Sequence, residues 1–460
     1  MANYHFVGAA GIGMSALAQL VRAQGDRVSG SDRYFDLGRL PGRRAKLEAQ
    51  GIRICMQDGS GVRPDVTHLV ASSAIESDNS DLNRARDLNL VTIHRSNLLA
   101  SLFHGCHRGV AVTGSFGKTS ITAMIGWCLA SAGQNPTIIN GGIMRNFETE
   151  KYIGNAVVGD GTICCIEADE SDGTCVKYRP DIGIITGLAR DHKELDELHR
   201  IYSTFAANTT GALVLSEQAA ASLFGLPGPR RITFGLRSGD LRAVQIRFGR
   251  REVRFNVGGT RFRMRQIGAY SVFNALAAIT VLRELGLEDA QIEAGLRSFE
   301  GTARHMELVG YPRGIRIFDD FAHNPSKIEA ALDGVRAAGA HRVLAVFQPH
   351  GFGPARFMRR DLVERFVRML GDEDRVFLLP IYYVGGTAEK DISSADIAAE
   401  AAANGAPVEA VPDRASLVTR LAGIAREQDT ILVMGARDDS LRDLCREIVV
   451  GLESRSRPVS

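Results

Sequence analysis

The sequence predicts an α/β protein built from three successive α/β domains. Short apolar strands alternate with segments of helical periodicity through most of the 460 residues. Two glycine-containing turns, after predicted strands at 5–7 and 110–112, each lead from a strand directly into a helix. The length also exceeds what one hydrophobic core usually organises. We place the three domains at 1–106, 107–300 and 301–460.

Composition and charge narrow the classes of function. The chain carries 55 Lys and Arg against 53 Asp and Glu, a net charge of +2, which gives no general case for binding nucleic acid or a membrane. Residues 1–6 lack the features of a signal peptide, and no apolar run approaches the ~20 residues of a membrane span. The seven cysteines are scattered without metal-ligand spacing, so we expect buried, reduced thiols in a cytoplasmic protein.

The first block has the βαβ pattern of dinucleotide-binding domains. A strand at 5–7 enters a glycine-rich turn at 8–13, a helix follows to Val21, and a second strand at 27–29 leads to Asp32. The usual fingerprint has a glycine where Ala10 stands. Three interpretations stay open, namely a dinucleotide site, a site for another diphosphate at the helix start, and a tight structural turn.

The second block opens with a predicted phosphate-binding loop. Residues 113–120 read Thr-Gly-Ser-Phe-Gly-Lys-Thr-Ser, between an apolar strand and a helix with a regular apolar stripe. The general phosphate-loop pattern has glycine where Val112 stands, whereas here the first glycine is Gly114, so the loop is tighter. Lys118 has the reach to contact β- and γ-phosphates, and the Thr119 hydroxyl can ligate magnesium. The alternative is an ordinary strand-to-helix turn with an exposed lysine.

Acidic residues follow the next buried strand. The strand at 163–166 ends in Glu-Ala-Asp-Glu-Ser-Asp at 167–172, and the strand at 182–186 is followed by Asp191 and His192. Ligands gather at the carboxyl edge of open parallel sheets, where carboxylates can hold magnesium beside phosphates. The acidic stretch is otherwise a solvated loop that caps a helix. For His192, a ligand role and a structural role both stay open.

The remaining chain changes character twice. Residues 228–268 alternate as antiparallel hairpins do, and we expect their arginines to form a solvated face. A helix predicted at 271–285 closes this block. A third α/β block follows from about 301, with Arg304, the Asp-Asp-Phe-Ala-His-Asn-Pro run at 319–325 and Gln-Pro-His at 348–350 as its landmarks.

Taken in order, these motifs resemble the Mur ligases, ATP-dependent enzymes that build the peptide stem of the bacterial cell wall. The resemblance covers nearly the whole chain and is closest to the branch that contains the UDP-N-acetylmuramate–L-alanine and murein-tripeptide recycling ligases. It implies a Rossmann-like N-terminal domain for a UDP-sugar, a central P-loop ATPase domain, and a Rossmann-like C-terminal domain that closes on ATP and binds the amine.

The resemblance also implies the chemistry and the partners. A carboxylate of a UDP-N-acetylmuramate-type nucleotide sugar attacks the γ-phosphate of ATP, and the amine of L-alanine or a tripeptide then attacks the acyl phosphate. ATP and Mg²⁺ are the implied cofactors. We expect no nucleic-acid or membrane partner, and a monomer or weak dimer.

Residue by residue, the resemblance implies four sets of site residues. Those that contact the UDP-sugar are Gly11, Ile12, Gly13, Met14, Ser15, Asp32 and Ser73. Those that contact ATP are Gly114, Ser115, Gly117, Lys118, Thr119, Ser120, Asn274, Arg304, Asp319, Asp320 and His323. Lys118, His192 and Arg304 are the implied catalytic residues. The implied metal ligands are Thr119, Glu167 and His192, with Glu170 as an alternative to Glu167.

Three departures from the pattern of the Mur ligases bear on activity. Phe116 stands in place of a loop histidine, Ser271 in place of an asparagine, and Gly351 in place of an arginine. These changes keep a second hypothesis open, a non-catalytic Mur-like protein that binds nucleotide or a wall precursor. A more distant alternative is an NAD-dependent oxidoreductase, which would use the first glycine-rich turn and Asp32 and leave the phosphate loop without a role.

Overall fold

The structure, a computed structural model, describes residues 1–170, 172–188, 194–223, 225, 228–249, 252–383 and 388–454. The chain forms two compact units. Unit 1 comprises residues 1–246, 254–265 and 272–302, and unit 2 comprises residues 247–253, 266–271 and 303–460. In the described residues, no helix is both long and apolar enough to cross a membrane.

Unit 1 begins with a five-stranded parallel sheet in the order β3-β2-β1-β4-β5. Its elements are β1 (Asn3–Val7), α1 (Ile12–Ala23), β2 (Arg27–Ser31), α2 (Arg33–Asp36), α3 (Pro41–Ala49), β3 (Arg53–Cys55), β4 (His68–Ala71), α4 (Ser80–Asp87), β5 (Val91–His94) and α5 (Arg95–His104). The βαβ prediction is confirmed, because β1 and β2 lie side by side in parallel and α1 connects them. The strand order reverses between β1 and β4, which is where open α/β sheets bind ligands.

Unit 1 continues with an eight-stranded sheet in the order β13-β12-β11-β10-β6-β9-β7-β8. Its elements are β6 (Arg108–Thr113), α6 (Lys118–Ser131), β7 (Thr137–Ile139), β8 (Ala156–Val157), β9 (Ile163–Glu167), β10 (Ile182–Ile185), α7 (Leu195–Asn208), β11 (Ala212–Ser216), α8 (Glu217–Ser222), β12 (Arg230–Gly235) and β13 (Leu241–Arg242). Within this sheet, the described pairings are all parallel except that of β7 with β8. The core strand β6 therefore has parallel neighbours on both sides.

The hairpin prediction for 228–268 is wrong over its first part. Strands β12 and β13 extend the parallel sheet beyond β11 instead of forming a hairpin. In β12, Arg230 and Arg231 are exposed while Ile232 and Phe234 are buried. A strand near the edge of a sheet can show this pattern in either orientation, so the sequence could not separate a parallel from an antiparallel pairing.

The second part of that prediction is confirmed. Strands β14 (Val244–Phe248), β15 (Val253–Val257) and β16 (Thr260–Met264) form a separate three-stranded sheet. Gly258 and Gly259, with φ of 58° and 87°, make the two-residue turn between β15 and β16. Along these strands Phe255 and Phe262 are buried and the arginines are exposed, as expected. Helices α9 (Ala269–Glu284) and α10 (Asp289–Ser298) follow.

Unit 2 is organised around a six-stranded sheet in the order β17-β18-β22-β19-β20-β21. Its elements are β17 (Glu307–Gly310), β18 (Arg316–Asp320), α11 (Pro325–Ala337), β19 (Val343–Phe347), α12 (Phe352–Met369), β20 (Arg375–Leu378), α13 (Ser394–Ala403), β21 (Val408–Ala410), α14 (Arg414–Ile424), β22 (Thr430–Met434) and α15 (Leu441–Ser454). Alternate residues of its strands enter two separate apolar clusters, for example Phe318 in one and Ile317 in the other. The sheet is thus covered on both faces, as near-continuous apolar strands predict.

The seven cysteines are free thiols, and five of them are buried. Cys55 and Cys106 are only half-buried, so the prediction of uniformly buried thiols is wrong for these two. Cys55 lies on a three-residue strand at the edge of the first sheet, and Cys106 lies between α5 and β6. Both positions leave part of the side chain uncovered.

A buried polar joint connects the two sheets of unit 1. The Asn155 amide nitrogen donates to the Ile12 carbonyl oxygen at 2.7 Å and to Ser15 Oγ at 2.9 Å. Gln19 Nε2 donates to Asn155 Oδ1 at 2.9 Å. The Asn155, Ser15 and Gln19 side chains are all buried, so helix α1 is hydrogen-bonded to the segment just before β8.

Candidate active site

The predicted phosphate loop lies between β6 and α6 at the carboxyl edge of the eight-stranded sheet. Gly114 and Gly117 have φ of 121° and 78°, a region that favours glycine. A Cβ atom at Gly114 would also collide with Thr186, and one at Gly117 would collide with the Asn274 side chain. Both glycines are therefore required by the backbone conformation and by the close approach of their neighbours.

The end of β10 holds the loop in place. The Thr186 hydroxyl donates to the Phe116 carbonyl oxygen at 2.5 Å, and the Ser115 N–H donates to the Gly187 carbonyl oxygen at 3.2 Å. The first intrahelical bond of α6 runs from Ile121 N–H to the Gly117 carbonyl. The N–H groups of 118–120, Ser120 included, thus lie in the first helical turn, where they have no intrahelical acceptor and can bind an anion.

Lys118 forms a largely buried ion pair with Glu170. Its Nζ lies 2.9 Å from Glu170 Oε2 and 2.9 Å from the Gly114 carbonyl oxygen. Burial alone would lower the pKa of Lys118, but the carboxylates of Glu170, Glu167 and Asp169 outweigh it and raise that pKa. Burial raises the pKa of Glu170, and Lys118 opposes this shift. An incoming phosphate would therefore meet a charged ammonium that already has a carboxylate partner.

Thr119 and Glu167 are brought together at the same edge. Thr119 Oγ1 donates to Glu167 Oε1 at 3.1 Å, and the Gly141 N–H donates to Glu167 Oε2 at 2.7 Å. Across the described residues, no three His, Cys, Asp or Glu side chains meet as a metal site. A hydroxyl and one carboxylate nevertheless fit magnesium, which usually takes one or two protein carboxylates and completes its shell with phosphates and water.

Two predicted positions of this edge cannot be placed. Asp191 and His192 lie outside the described residues, as does Ser171 of the acidic stretch.

Asn274 is buried on α9 and contacts the loop at Gly117. We call Gly114, Gly117, Lys118, Thr119, Glu167 and Glu170 the phosphate-loop cluster.

The first glycine-rich turn lies at the carboxyl end of β1, beside the turn after β4 that carries the exposed Ser73. Gly8 takes φ of 86°, and Gly11 is the N-cap of α1. The N–H groups of Ile12, Gly13 and Met14 lie in the first turn, whereas the Ser15 N–H donates to the Gly11 carbonyl oxygen. The turn can therefore offer backbone donors to a diphosphate.

The side chains of this turn are mostly engaged within the protein. Asp32 is buried and accepts the N–H groups of Ala10 at 2.9 Å and Tyr34 at 2.8 Å. Burial raises the pKa of Asp32 in spite of these bonds. Met14 and Ser15 are buried, so a ligand would meet their backbone rather than their side chains. Asp32 thus fixes the shape of the turn.

Unit 2 contains a second group of predicted residues at the carboxyl end of β18. The Arg304 guanidinium donates to the carbonyl oxygens of Ala436, at 3.2 Å, and of Gly435. Its Nε lies 3.4 Å from Asp319 Oδ2, and its carbon lies 5.4 Å from the centre of the Phe321 ring. Arg304 adopts φ of 61°, unusual for a residue other than glycine.

The two aspartates of β18 differ in their partners. Burial raises the pKa of Asp319 to about 7, although Arg304 opposes this shift. Asp320 accepts the N–H groups of Met306 at 2.7 Å and Ala322 at 2.8 Å. The His323 Nδ1 lies 2.8 Å from the Phe321 carbonyl oxygen, so that nitrogen is the donor. We call Arg304, Asp319, Asp320 and His323 the Arg304 cluster.

Three family models match the chain in succession, the catalytic domain of the Mur ligase family at 3–107, the Mur ligase middle domain at 112–282, and the Mur ligase glutamate ligase domain at 304–437. A UDP-N-acetylmuramate–L-alanine ligase of Thermosynechococcus vestitus is 35% identical over 456 residues, which cover 94% of this chain and 92% of the relative. The chain belongs to the Mur ligase family.

Other relatives of this Mur ligase agree. A UDP-N-acetylmuramate–L-alanine ligase of a Synechococcus strain is 34% identical over 457 residues, covering 95% of this chain and 90% of the relative. The crystal structure of the Thermotoga maritima UDP-N-acetylmuramate–alanine ligase has a TM-score of 0.80 and 25% identity, covering 99% of this chain and all of that one. A murein peptide ligase of Psychrobacter arcticus, with a TM-score of 0.68, 21% identity and coverage of 98% and 99%, shares the fold.

These findings confirm the predicted family, its three-domain α/β architecture and its enzyme class, an ATP-dependent ligase that forms amide bonds in peptidoglycan synthesis or recycling. Sequence reasoning missed Thr186 and Gly141, which hold the phosphate loop and Glu167 in this Mur ligase. Both follow strands that flank the site, a signal that sheet order would have supplied. It also missed Arg95, whose guanidinium a Cβ atom at Gly13 would meet.

Two of the three residues that depart from the family pattern make hydrogen bonds within the protein. The Ser271 hydroxyl is buried and donates to the Gly268 carbonyl oxygen at 2.7 Å. Gly351 is the N-cap of α12 with φ of 68°, and its N–H donates to the Tyr382 carbonyl oxygen at 2.9 Å. Phe116 differs, because its ring is exposed on the phosphate loop itself.

Proposed function

We propose that this Mur ligase joins L-alanine to the carboxylate of UDP-N-acetylmuramate, with Mg-ATP as the energy source. The observation that carries the proposal is the phosphate-loop cluster, in which Lys118, Thr119 and Glu167 converge at the carboxyl edge of a parallel sheet. L-alanine is taken from the names of the relatives that are 34% and 35% identical over nearly the whole chain.

ATP would bind with its phosphates in the loop between Gly114 and Gly117. The N–H groups of the first turn of α6 would then face the phosphate oxygens, and Lys118 would exchange Glu170 for the β- and γ-phosphates. Thr119 and Glu167 would hold magnesium, which neutralises phosphate charge when bound. His192 is proposed as a further metal ligand on the resemblance alone.

The chemistry needs positioning and charge neutralisation more than proton transfer. The carboxylate oxygen of the sugar bonds to the γ-phosphorus, the bond to the β-phosphate oxygen breaks, and ADP leaves. The amine nitrogen then bonds to the carbonyl carbon and loses a proton to solvent, and inorganic phosphate leaves from the tetrahedral intermediate. Lys118 and Arg304 are the residues proposed to stabilise the charge on the transferred group.

The UDP-sugar is proposed to bind at the first glycine-rich turn. Its diphosphate would face the first-turn N–H groups of Ile12, Gly13 and Met14, where the strand order reverses. Asp32 would keep the turn in shape, and the exposed Ser73 would approach from the neighbouring turn. Under this proposal 1–106, 107–300 and 301–460 are the sugar, ATPase and amine-binding domains, and Asn274, Asp319, Asp320 and His323 contact the nucleoside.

The test is phosphate release from Mg-ATP with UDP-N-acetylmuramate and one amine at a time. The panel of amines contains L-alanine, L-serine, glycine and the L-Ala-γ-D-Glu-diaminopimelate tripeptide. Mass spectrometry identifies the coupled product. We expect release that requires both the sugar and L-alanine. Release with the tripeptide instead would reassign the amine. ATP binding without turnover across the panel would favour the non-catalytic hypothesis.

A further inference from the structure

Phe116 is a large apolar residue that the phosphate loop leaves 40% exposed. Its ring centre lies 6.0 Å from that of Phe273, with 53° between the ring planes. The Phe273 ring in turn lies 5.0 Å from that of Phe234, which is fully buried. The exposed ring is thus the outer end of a row of three aromatic rings that begins in the core of unit 1.

Gly187 makes room for this ring. A Cβ atom at Gly187 would lie 2.7 Å from Phe116 Cε1 and closer still to Cζ, so any side chain there would displace the ring. The φ angle of Gly187 is not in the left-handed region, and backbone conformation therefore does not explain the glycine. The Thr186 hydroxyl also holds the Phe116 carbonyl oxygen. Both backbone and ring of Phe116 are fixed by the segment after β10.

A buried amide completes the surface. Asn274 follows Phe273 on α9, and its side chain contacts the loop at Gly117, the residue after Phe116. A carboxamide offers both donors and an acceptor, which suits the polar edge of a nucleobase. An aromatic face and an amide therefore adjoin the same phosphate-binding loop.

We infer that Phe116, supported by Phe273, is the surface on which the base of the bound nucleotide stacks, and that it contributes a large part of the affinity for the nucleoside. The inference rests on the proposed function, because it needs a nucleotide in the phosphate loop. Stacking is tolerant of base identity, since every base has a π-face. Phe116 therefore contributes to the binding of ATP and GTP alike.

The test compares ligands that do and do not carry a base. Calorimetry measures the binding of Mg-ATP, Mg-GTP and Mg-tripolyphosphate to the wild type and to Phe116→Leu, which keeps an apolar side chain but loses the π-face. We expect Phe116→Leu to weaken ATP and GTP about tenfold or more and by similar factors. Tripolyphosphate, which occupies only the phosphate loop, should bind as it does to the wild type. Phe116→Tyr should retain nucleotide affinity.

A matched control is Phe248→Leu, on β14, whose phenylalanine is 39% exposed but does not belong to the loop. It should leave all three affinities unchanged. If Phe116→Leu weakens tripolyphosphate as much as ATP, the ring only supports the loop and the inference is wrong. Unchanged ATP binding would also overturn it. A wild-type protein that binds neither ATP nor tripolyphosphate would instead overturn the proposed function, and this inference with it.

Discussion

The phosphate-loop cluster and the Arg304 cluster both present a cation beside carboxylates, but they are built differently. Lys118 is balanced by Glu170 on a neighbouring strand end and extends from the first turn of a helix. Arg304 is held by Asp319 and by two carbonyls that follow β22. The first cation can exchange its partner for a ligand, whereas the second is tied into the packing of its unit. The two clusters should therefore respond differently to substitution.

Lys118→Ala should have the largest effect on activity. Removal of the ammonium eliminates charge stabilisation of the transferred phosphoryl group, and we expect a loss in kcat/KM of about a thousandfold or more, ~4 kcal/mol or more. The substitution also leaves the largely buried Glu170 without its cation, so denaturant unfolding must show that the variant is folded under the conditions of the assay. Lys118→Arg is the control, because it keeps the positive charge but changes the geometry of the side chain. Near-normal turnover of Lys118→Ala would contradict the assignment of the loop.

Arg304→Met tests whether the second cluster is structural as well as functional. The substitution leaves Asp319, which is fully buried, without its cation, and we expect a loss of about 3–5 kcal/mol in the free energy of unfolding of unit 2. Arg420→Met is the control, since its pair with Glu409 is exposed and should be worth less than about 1 kcal/mol. Equal stability of the two variants would remove the distinction between the clusters.

The pH dependence of stability also tests the structural role of the Arg304 cluster. Because the pKa of Asp319 rises from 3.8 to about 7 on folding, the folded state binds its proton more tightly, and stability falls as pH rises between these values. The roughly three-unit difference corresponds to at most about 4 kcal/mol. Asp319→Asn should lose this slope, so its stability relative to the wild type should increase from pH 4 to pH 7. A stability difference between the variant and the wild type that stays constant from pH 4 to pH 7 would contradict this prediction.

Glu170→Gln should have the smallest effect. If Glu170 only holds Lys118 until a phosphate arrives, its removal should tighten ATP binding a few-fold, with an unchanged requirement for Mg²⁺. If Glu170 is instead the metal ligand, the Mg²⁺ concentration for half-maximal activity should rise. Asp172→Asn is the control, because Asp172 belongs to the same acidic stretch but pairs with Arg95 rather than with Lys118.

The difference between the two clusters also explains how much of the candidate site could be predicted from the sequence. The phosphate loop is a local motif, and its strand, glycines, lysine and threonine all lie within residues 110–119, so the pattern alone predicts the site. The partners of Arg304 come from residues 319 and 435–436, which only the strand order β18-β22 brings together. The side chains of the first glycine-rich turn were predicted as ligand contacts, but the burial of Met14 and Ser15 could not be derived from their spacing.

The joint between Asn155, Ser15 and Gln19 has a consequence for any attempt to express parts of this chain. A fragment ending near residue 106 would leave Ser15 and Gln19 without the amide that satisfies them, and a fragment starting at 107 would leave Asn155 bare. Water would take the place of the missing partner in either fragment, so each hydrogen bond lost costs about 1 kcal/mol, which is a noticeable share of the stability of a small domain. Residues 1–106 therefore cannot be exchanged between ligases without loss of these hydrogen bonds, unless the new partner supplies a matching amide.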